Sequence, residues 1–429
     1  MKHLYSFACT TIGQSHIISK KPCQDYSSFF ENDTMNIAVV SDGHGSSNFT
    51  RSEKGSQFAC ESAIDAVKEF VEQIDKEQLQ ILKHRDYAIE QLCKNILLRW
   101  NSAVNEDFSN FPFTEEEVEK VSDKYKLAYL NGEKYEHAYG CTLLIVLYTK
   151  DYFLAIRNGD GQCVTVVEDA TFETPIPWND KCEFNVTTSL CDSMAIEDFR
   201  YYYSEKLPVA AFVGSDGVDD SYASIEELYN LYRALCIDAI NSGVDVMKEN
   251  IVAFLPGLTK RGSTDDVSIA GTINEKALEK IAKPLLEENE KRKQALEDEK
   301  ARRLELIKKR ETEELSKKIK KLETEKIELE KKVSNMISER ENLVSKSFLF
   351  KSNAEAMLAD IEQAEETLRS IENNISSLYN QLNSFDSNDT MSDTDCDIET
   401  EEIIFDENVF SNLEEEIVYD SSDNKPTDE

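Results

Sequence analysis

Five short stretches of this chain carry aspartates that could do chemistry, four of them with glycine or a second acid alongside. They read Gln24-Asp25, Ser41-Asp42-Gly43-His44-Gly45, Asn158-Gly159-Asp160-Gly161, Ser215-Asp216-Gly217 and Asp265-Asp266. An aspartate at a strand end is a poor packing choice, because an unpaired charge is costly to bury. Several brought together repel one another and raise each other's pKa unless a cation lies between them. Hard oxygen ligands without a Cys or His cluster suit Mg2+ or Mn2+ rather than Zn2+. Glycine beside Asp42, Asp160 and Asp216 lets the backbone turn tightly and a carbonyl approach the metal. His44 stands two residues from Asp42, a reasonable place for an acid or base acting beside a metal-held water. Taken singly, each Asp-Gly pair is an ordinary turn signal; their succession carries the argument.

The elements that must position these residues lie in the first 275 residues, which hold all 14 glycines and six of the eight prolines. The patterning predicts strands at Met35–Ser41, Cys141–Tyr148, Tyr152–Ile156, Gln162–Val167, Val209–Gly214 and Val267–Ile273. It predicts helices at Ser52–Ile74, Asp86–Val104 and Ile225–Ile240. Helices in blocks, rather than one after each strand, favour segregated α+β layers over a parallel sheet.

Two further segments follow. Residues 276–385 carry 23 basic and 23 acidic residues and no glycine. From Leu315 to Phe385 one heptad register holds. Its d positions are all apolar, and its a positions run from Ile319 through Lys326, Val333, Arg340, Ser347, Ala354, Ile361, Leu368 and Ile375 to Leu382. That period predicts a left-handed coiled coil. The pattern leaves open an antiparallel hairpin, broken near Ser345–Asn353, or a self-dimer. Residues 386–429, with 17 acids and one lysine, read as a disordered acidic tail. Asp393, Asp395 and Asp397 imitate a calcium loop, but Ile398 and Ile404 stand where Gly and Glu are required, so an EF-hand is rejected. The apolar islands Ile403–Phe405 and Val409–Phe410 are candidates for docking.

A net charge of −36 argues against nucleic acid and against an anionic membrane surface as partner. The ten cysteines are scattered without a CxxC pair. The first 30 residues show no signal peptide, and the longest apolar run, Leu143–Tyr148, is far too short to cross a bilayer. These features predict a cytoplasmic protein with free thiols.

In order, the motifs are Gly13-Gln14-Ser15-His16, Lys20, Cys23-Gln24-Asp25, Val39-Val40-Ser41-Asp42-Gly43-His44-Gly45, Gly140-Cys141-Thr142-Leu143, Gly159-Asp160-Gly161, Gly214-Ser215-Asp216-Gly217 and Ser263-Thr264-Asp265-Asp266-Val267-Ser268. The string resembles the metal-dependent type 2C family of protein serine/threonine phosphatases, in its bacterial-style branch, over roughly residues 1–275. The resemblance implies an antiparallel β-sandwich flanked by helices on both faces, two and up to three Mn2+ or Mg2+ ions, and a phosphoprotein substrate. Asp42 would bridge two ions, with the Gly43 carbonyl, Asp216 and Asp265 completing one shell and Asp160 joining Asp216 around a third, weaker ion. Asp25 would orient a metal-bound water, and His44 would protonate the leaving serine or threonine oxygen. A water or hydroxide between the two ions would attack phosphorus in line.

Departures from the family pattern set further expectations. Lys20 stands where many members hold the substrate phosphate with Arg; it supplies charge but no bidentate fork, and Arg51 is a candidate helper. Cys141 reads as a buried packing residue and His16 as structural. His3, His84 and His137 have no motif around them. Residues 107–137 read as an insertion. Residues 169–208 read as a flap, with Trp178 and Tyr201–Tyr203 either contacting substrate or packing the flap. The leading expectation is an active phosphatase whose coiled coil serves self-association or targeting. The alternative is an inactive phosphatase-like scaffold acting through the coiled coil and tail. A purely structural coiled-coil protein would leave the ordered Asp-Gly motifs unexplained.

Overall fold

A computed structural model of the chain describes residues 3–182, 186–346 and 351–386. The expectations for the acidic tail and its apolar islands lie outside the described residues. The chain divides into two compact units, the first reaching Asn289 and the second starting at Glu290.

The first unit opens with β1 (Leu4–Thr11), α1 (Gln14–Ser19), β2 (Tyr26–Glu31) and β3 (Met35–Ser41). A helical block follows: α2 (Ser52–Gln73), α3 (Lys76–Gln80), α4 (Leu82–Asn110), α5 (Glu115–Glu119), α6 (Asp123–Leu130) and a 3-10 turn at Tyr135–Tyr139. Then come β4 (Leu143–Thr149), β5 (Phe153–Asn158), β6 (Gln162–Val166), β7 (Phe172–Glu173), α7 (Ala195–Asp198), β8 (Arg200–Ser204) and β9 (Ala210–Gly214). The unit closes with α8 (Asp216–Asp219), α9 (Ile225–Ser242), α10 (Val244–Arg261), β10 (Val267–Asn274) and the start of α11 (Glu275–Lys346).

Ten strands form two five-stranded antiparallel sheets, ordered β1-β10-β9-β6-β7 and β2-β3-β4-β5-β8. The alternation of side chains along each strand explains the layering. Ala38, Val40, Leu144 and Val146 meet Ala211, Val213 and Ala270 of the other sheet in one cluster. Their neighbours Ile37, Val39, Ile145 and Leu147 face the other way and pack with Ala63, Val67, Leu92 and Trp100 of α2 and α4. Phe212, Ile269 and Val164 pack against Leu231, Leu235 and Leu255 of α9 and α10. A sandwich with a helical layer on each outer face follows, as the resemblance implies. Strands buried on both faces also explain why β3 and β4 read as unbroken apolar runs.

Differences from the sequence reading are local. Strands β1, β2 and β8 carry half-buried, mixed-polarity residues with weak alternation. Helix α10 gives no clear helical signal in sequence because Pro256 lies inside it. The first unit also runs past residue 275: Leu278, Ile281 and Leu285 of α11 are buried in the cluster on α9 and α10.

The second unit contains the rest of α11 and α12 (Lys351–Asp386). Tyr379 Oη donates to Glu323 Oε1 at 2.9 Å, and Lys326 Nζ lies 2.8 Å from Glu372 Oε1. These pairs run in opposite directions along the chain, so the two helices lie antiparallel. Every described a and d position from Leu315 to Leu382 is buried or partly buried. Lys326, a weak point of the seam in sequence, is met across it by Glu372. Among the described residues no helix is long and apolar enough to cross a membrane, and the described cysteines are free.

Candidate active site

The Asp-Gly motifs converge because both sheets send strand ends to the same edge. β3 ends at Ser41, whose Oγ donates to Thr142 O at 2.6 Å. Thr142 N donates back to Asp42 O at 2.8 Å, and Asp42 N donates to Thr142 Oγ1 at 3.1 Å. Gly43 is needed here because a Cβ would stand 2.5 Å from Gln24 O and 2.7 Å from Ser52 O. Gln24 Nε2 and Ser52 Oγ both donate to His44 O, at 3.1 and 3.0 Å, which fixes the turn. In the other sheet β9 ends at Gly214. Ser215 N donates to Ser268 O at 3.0 Å, and Asp216 opens α8. Gly159 turns out of β5 with φ of 115°, which presents Asp160 to the same place.

Asp42, Gly43, His44, Asp160, Asp216 and Asp265 line one cavity of about 410 Å3, with Thr187 and Ser189 from the flap on the opposite wall. Asp25 lies buried behind it, held by the Ser215 and Ser268 hydroxyls. Burial raises the pKa of Asp25 well above the carboxylate range, and the charges of Asp266 and Asp216 add to this. Burial, then Asp216 and Asp25, do the same to Asp42. Asp160 is pushed up to about 6 by burial and by Asp216, and Asp265 is raised by burial. Asp25 Oδ2, Asp216 Oδ1 and Asp219 Oδ1 are buried without a hydrogen-bond partner. Orphaned carboxylate oxygens on mutually repelling acids are the condition a divalent cation relieves. The donor set therefore fits Mg2+ or Mn2+.

The tightest acidic cluster among the described residues is His16, Asp265 and Asp266. Asp266 serves structure there. Its carboxylate accepts from Gly13 N and Gln24 N, both at 2.6 Å. His16 Nδ1 lies 2.9 Å from Asp266 Oδ2, off the direction of a hydrogen bond. Asp265 and Asp266 line the cavity together with Asp42 and Asp216, but the Asp266 carboxylate is already committed to the Gly13 and Gln24 amides.

A family model described as protein phosphatase 2C matches residues 12–256, more than half of the chain. The chain belongs to the protein phosphatase 2C family. Membership places this phosphatase among the protein serine/threonine phosphatases. No curated protein sequence matches it. Among solved structures it is similar to the serine/threonine phosphatase Stp1 from Staphylococcus aureus, at 15% identity and a TM-score of 0.40, covering 63% of this chain and 95% of that one. It is also similar to the catalytic domain of PstP, described in complex with two manganese ions. That match has 13% identity and a TM-score of 0.38, covering 63% and 97% of the two chains. A third is a bacterial serine phosphatase, at 15% identity and a TM-score of 0.39, covering 64% and 98%.

Several residues of the phosphatase sit differently from the sequence expectation. Lys20 is exposed at the end of α1 and does not line the cavity. Lys21 Nζ donates to Gly45 O at 3.1 Å. Arg51 does not help at the phosphate site, because its guanidinium is consumed elsewhere. It donates to Glu117 Oε1 at 2.7 Å, Phe111 O at 2.6 Å and Tyr139 Oη at 2.8 Å. The insertion at 107–137 thus supplies the partners of a buried arginine. The flap aromatics pack: Trp178 lies under Arg157, Tyr202 against Phe153, Tyr203 against Tyr152, and Tyr201 donates to Asp86.

No motif marks His137 in sequence, yet it lines the cavity. Its ring stacks on Phe49 at 4.5 Å, and Phe49 meets His44 edge-on at 4.7 Å. Only tertiary packing brings these three rings together. Asp219 is equally unmarked, three residues beyond Asp216 in α8.

Proposed function

We propose that this chain hydrolyses phosphoserine and phosphothreonine in proteins with Mg2+ or Mn2+ held by Asp42, the Gly43 carbonyl, Asp216 and Asp265. Asp160 with Asp216 would hold a further, weaker ion. The observation that carries this reading is the convergence of mutually repelling carboxylates on one cavity, with an unpaired oxygen on Asp216 in its wall and on Asp25 buried behind it. When bound, such cations supply the positive charge that stabilises the phosphoryl transition state and make hydroxide accessible at neutral pH. The chain's own groups do the rest. Asp25 offers its unpaired Oδ2 as the acceptor that orients the attacking water. His44 donates a proton to the leaving oxygen. Burial lowers its pKa to about 4, and the charge of a bound phosphate dianion opposes that shift. Lys21, tied to the Gly45 carbonyl of the loop that carries His44, is the cation placed to meet the phosphate charge; Lys20 stands outside the cavity.

The scaffold alternative has no observation in its favour, since no metal-ligating carboxylate is missing. The hairpin of α11 and α12 leaves most of its a and d positions only partly covered, which supports self-association through a second hairpin. Hydrolysis of a phosphothreonine peptide with Mn2+, with Mg2+ and with chelator tests the activity, with Asp216→Ala as control. Metal-dependent phosphate release, lost in the variant, is expected. No release with any metal from folded protein would return the scaffold reading. Sedimentation of the full chain tests association: a monomer at micromolar concentration would end that part of the proposal.

A further inference from the structure

A second cavity of about 550 Å3 adjoins the active cavity. The two share His137, Cys191 and Asp192 as a common wall. The second cavity has an aliphatic and aromatic body, built from Leu97 of α4, Tyr125 of α6, and Leu190 and Ile196 from the flap. Tyr125 stacks on His137 at 4.2 Å, so the ring stack that borders His44 continues into this cavity. Two carboxylates, Glu136 and Asp192, stand on its lining against one ammonium, that of Lys134. Asn101 completes the rim from the exposed face of α4.

From this geometry we infer that the second cavity is a substrate subsite for a lysine or arginine side chain flanking the phosphorylated residue. The inference deepens the phosphatase reading and rests on it. The match is chemical. A long basic side chain has an aliphatic stem that lies well on Leu97, Ile196 and the Tyr125 ring. It ends in a cation that Glu136 and Asp192 attract. An acidic neighbour meets the same two carboxylates and is disfavoured. An excess of 20 negative charges over residues 1–275, from 44 acids and 24 bases, acts in the same direction on encounter. The walls come from α4, from the insertion at 107–137 and from the flap, all outside the Asp-Gly motifs. Substrate choice can therefore change here without touching the carboxylates that bind metal.

The test compares kcat/KM on phosphothreonine peptides that differ only in residues flanking the phosphothreonine: Arg or Lys, Ala, and Glu. Hydrolysis of p-nitrophenyl phosphate, which has no flanking residue, runs in parallel. The expected order is basic over Ala over Glu, with a basic-to-Ala ratio of about fivefold, the reach of a partly exposed ion pair. Glu136→Gln should collapse that ratio, and Asn101→Arg, at an exposed helix position, should reverse it. Both should leave p-nitrophenyl phosphate hydrolysis unchanged. Equal rates on all peptides, or a basic preference untouched by both variants, would overturn the subsite. Loss of hydrolysis of p-nitrophenyl phosphate as well, in the wild type, would instead overturn the phosphatase reading beneath it.

Discussion

The carboxylates around Asp42 are held in an unstable company. Each gains by keeping a proton or by meeting a cation, and a raised pKa in the folded state fixes the sign of the pH effect. For an acid with a raised folded pKa, stability is fully present below the unfolded value and is lost as pH rises through the folded one. For Asp160 the window runs from the ordinary 3.8 to about 6; Asp25 and Asp42 extend it upward. In chelator, the melting temperature should therefore fall as pH rises through this range. At pH about 7.5 added Mn2+ should stabilise by roughly 2.7 kcal/mol at a hundredfold excess over Kd, and at pH about 5 by less. Asp216→Asn should melt higher than wild type in chelator and lose most of the Mn2+ response. Equal Mn2+ shifts in wild type and variant would show that the ion binds elsewhere. For His44→Gln, kcat on a phosphothreonine peptide should fall by about 100-fold. Hydrolysis of p-nitrophenyl phosphate, whose leaving group needs no proton, should fall far less; equal losses would remove His44 as the acid. These residues were legible in sequence because the chemistry demands Asp beside a tight turn. His137 and Asp219 were not, since nothing local marks a ring or a carboxylate that acts through packing.

At the scale of elements, the insertion of α5 and α6 is bound to the domain through Arg51. This side chain is 5% exposed and donates to a carboxylate, a carbonyl and a phenol. Replacing it with Ala leaves Glu117 and Asp107 without their buried cation, a loss of about 3–5 kcal/mol. Calorimetry of Arg51→Ala should show that drop; a loss below about 1 kcal/mol would mean the network is solvated. Burial alone would raise Glu117, but the Arg51 fork and the Thr114 cap pull it down to about 2. Its stabilisation is present above the ordinary 4.5 and lost as pH falls toward 2, opposite in sign to the acids of the cavity. Arg51→Ala should flatten this acid limb. Sequence offered Arg51 as a phosphate ligand because its nearness to the Asp42 motif was visible and Glu117, 66 residues away, was not. The strands of the sandwich centre were readable from their apolar runs. The edge strands β2 and β8 were not, because half their surface faces solvent.

For the whole molecule, the limits of the catalytic unit are set by burial rather than by composition. Charge and glycine content change near residue 275, yet Leu278, Ile281 and Leu285 still pack on α9 and α10. A chain ending at Asn289 should keep the melting temperature and peptide hydrolysis of the full protein. One ending at Asn274 should lose about 2–5 kcal/mol for each large apolar side chain removed and unfold at a lower temperature. Equal stability of the two truncations would return the boundary to residue 275. Over the described residues the heptad positions of the second unit are the covered ones, because an a/d period states a seam whatever its partner. Whether the partner helix lay in the same chain was not legible, since an a/d period is the same for an antiparallel neighbour and for a second copy.

The first strand pairs with the last: Leu4 stands opposite Asn274, and Thr11 opposite Val267. Asp266 fastens Gly13 and Gln24 across the same junction. During synthesis the N-terminal edge of this sandwich must therefore wait for nearly all of the catalytic unit to leave the ribosome. Long-range pairing of this kind makes folding slow. The helices of the second unit emerge in that interval.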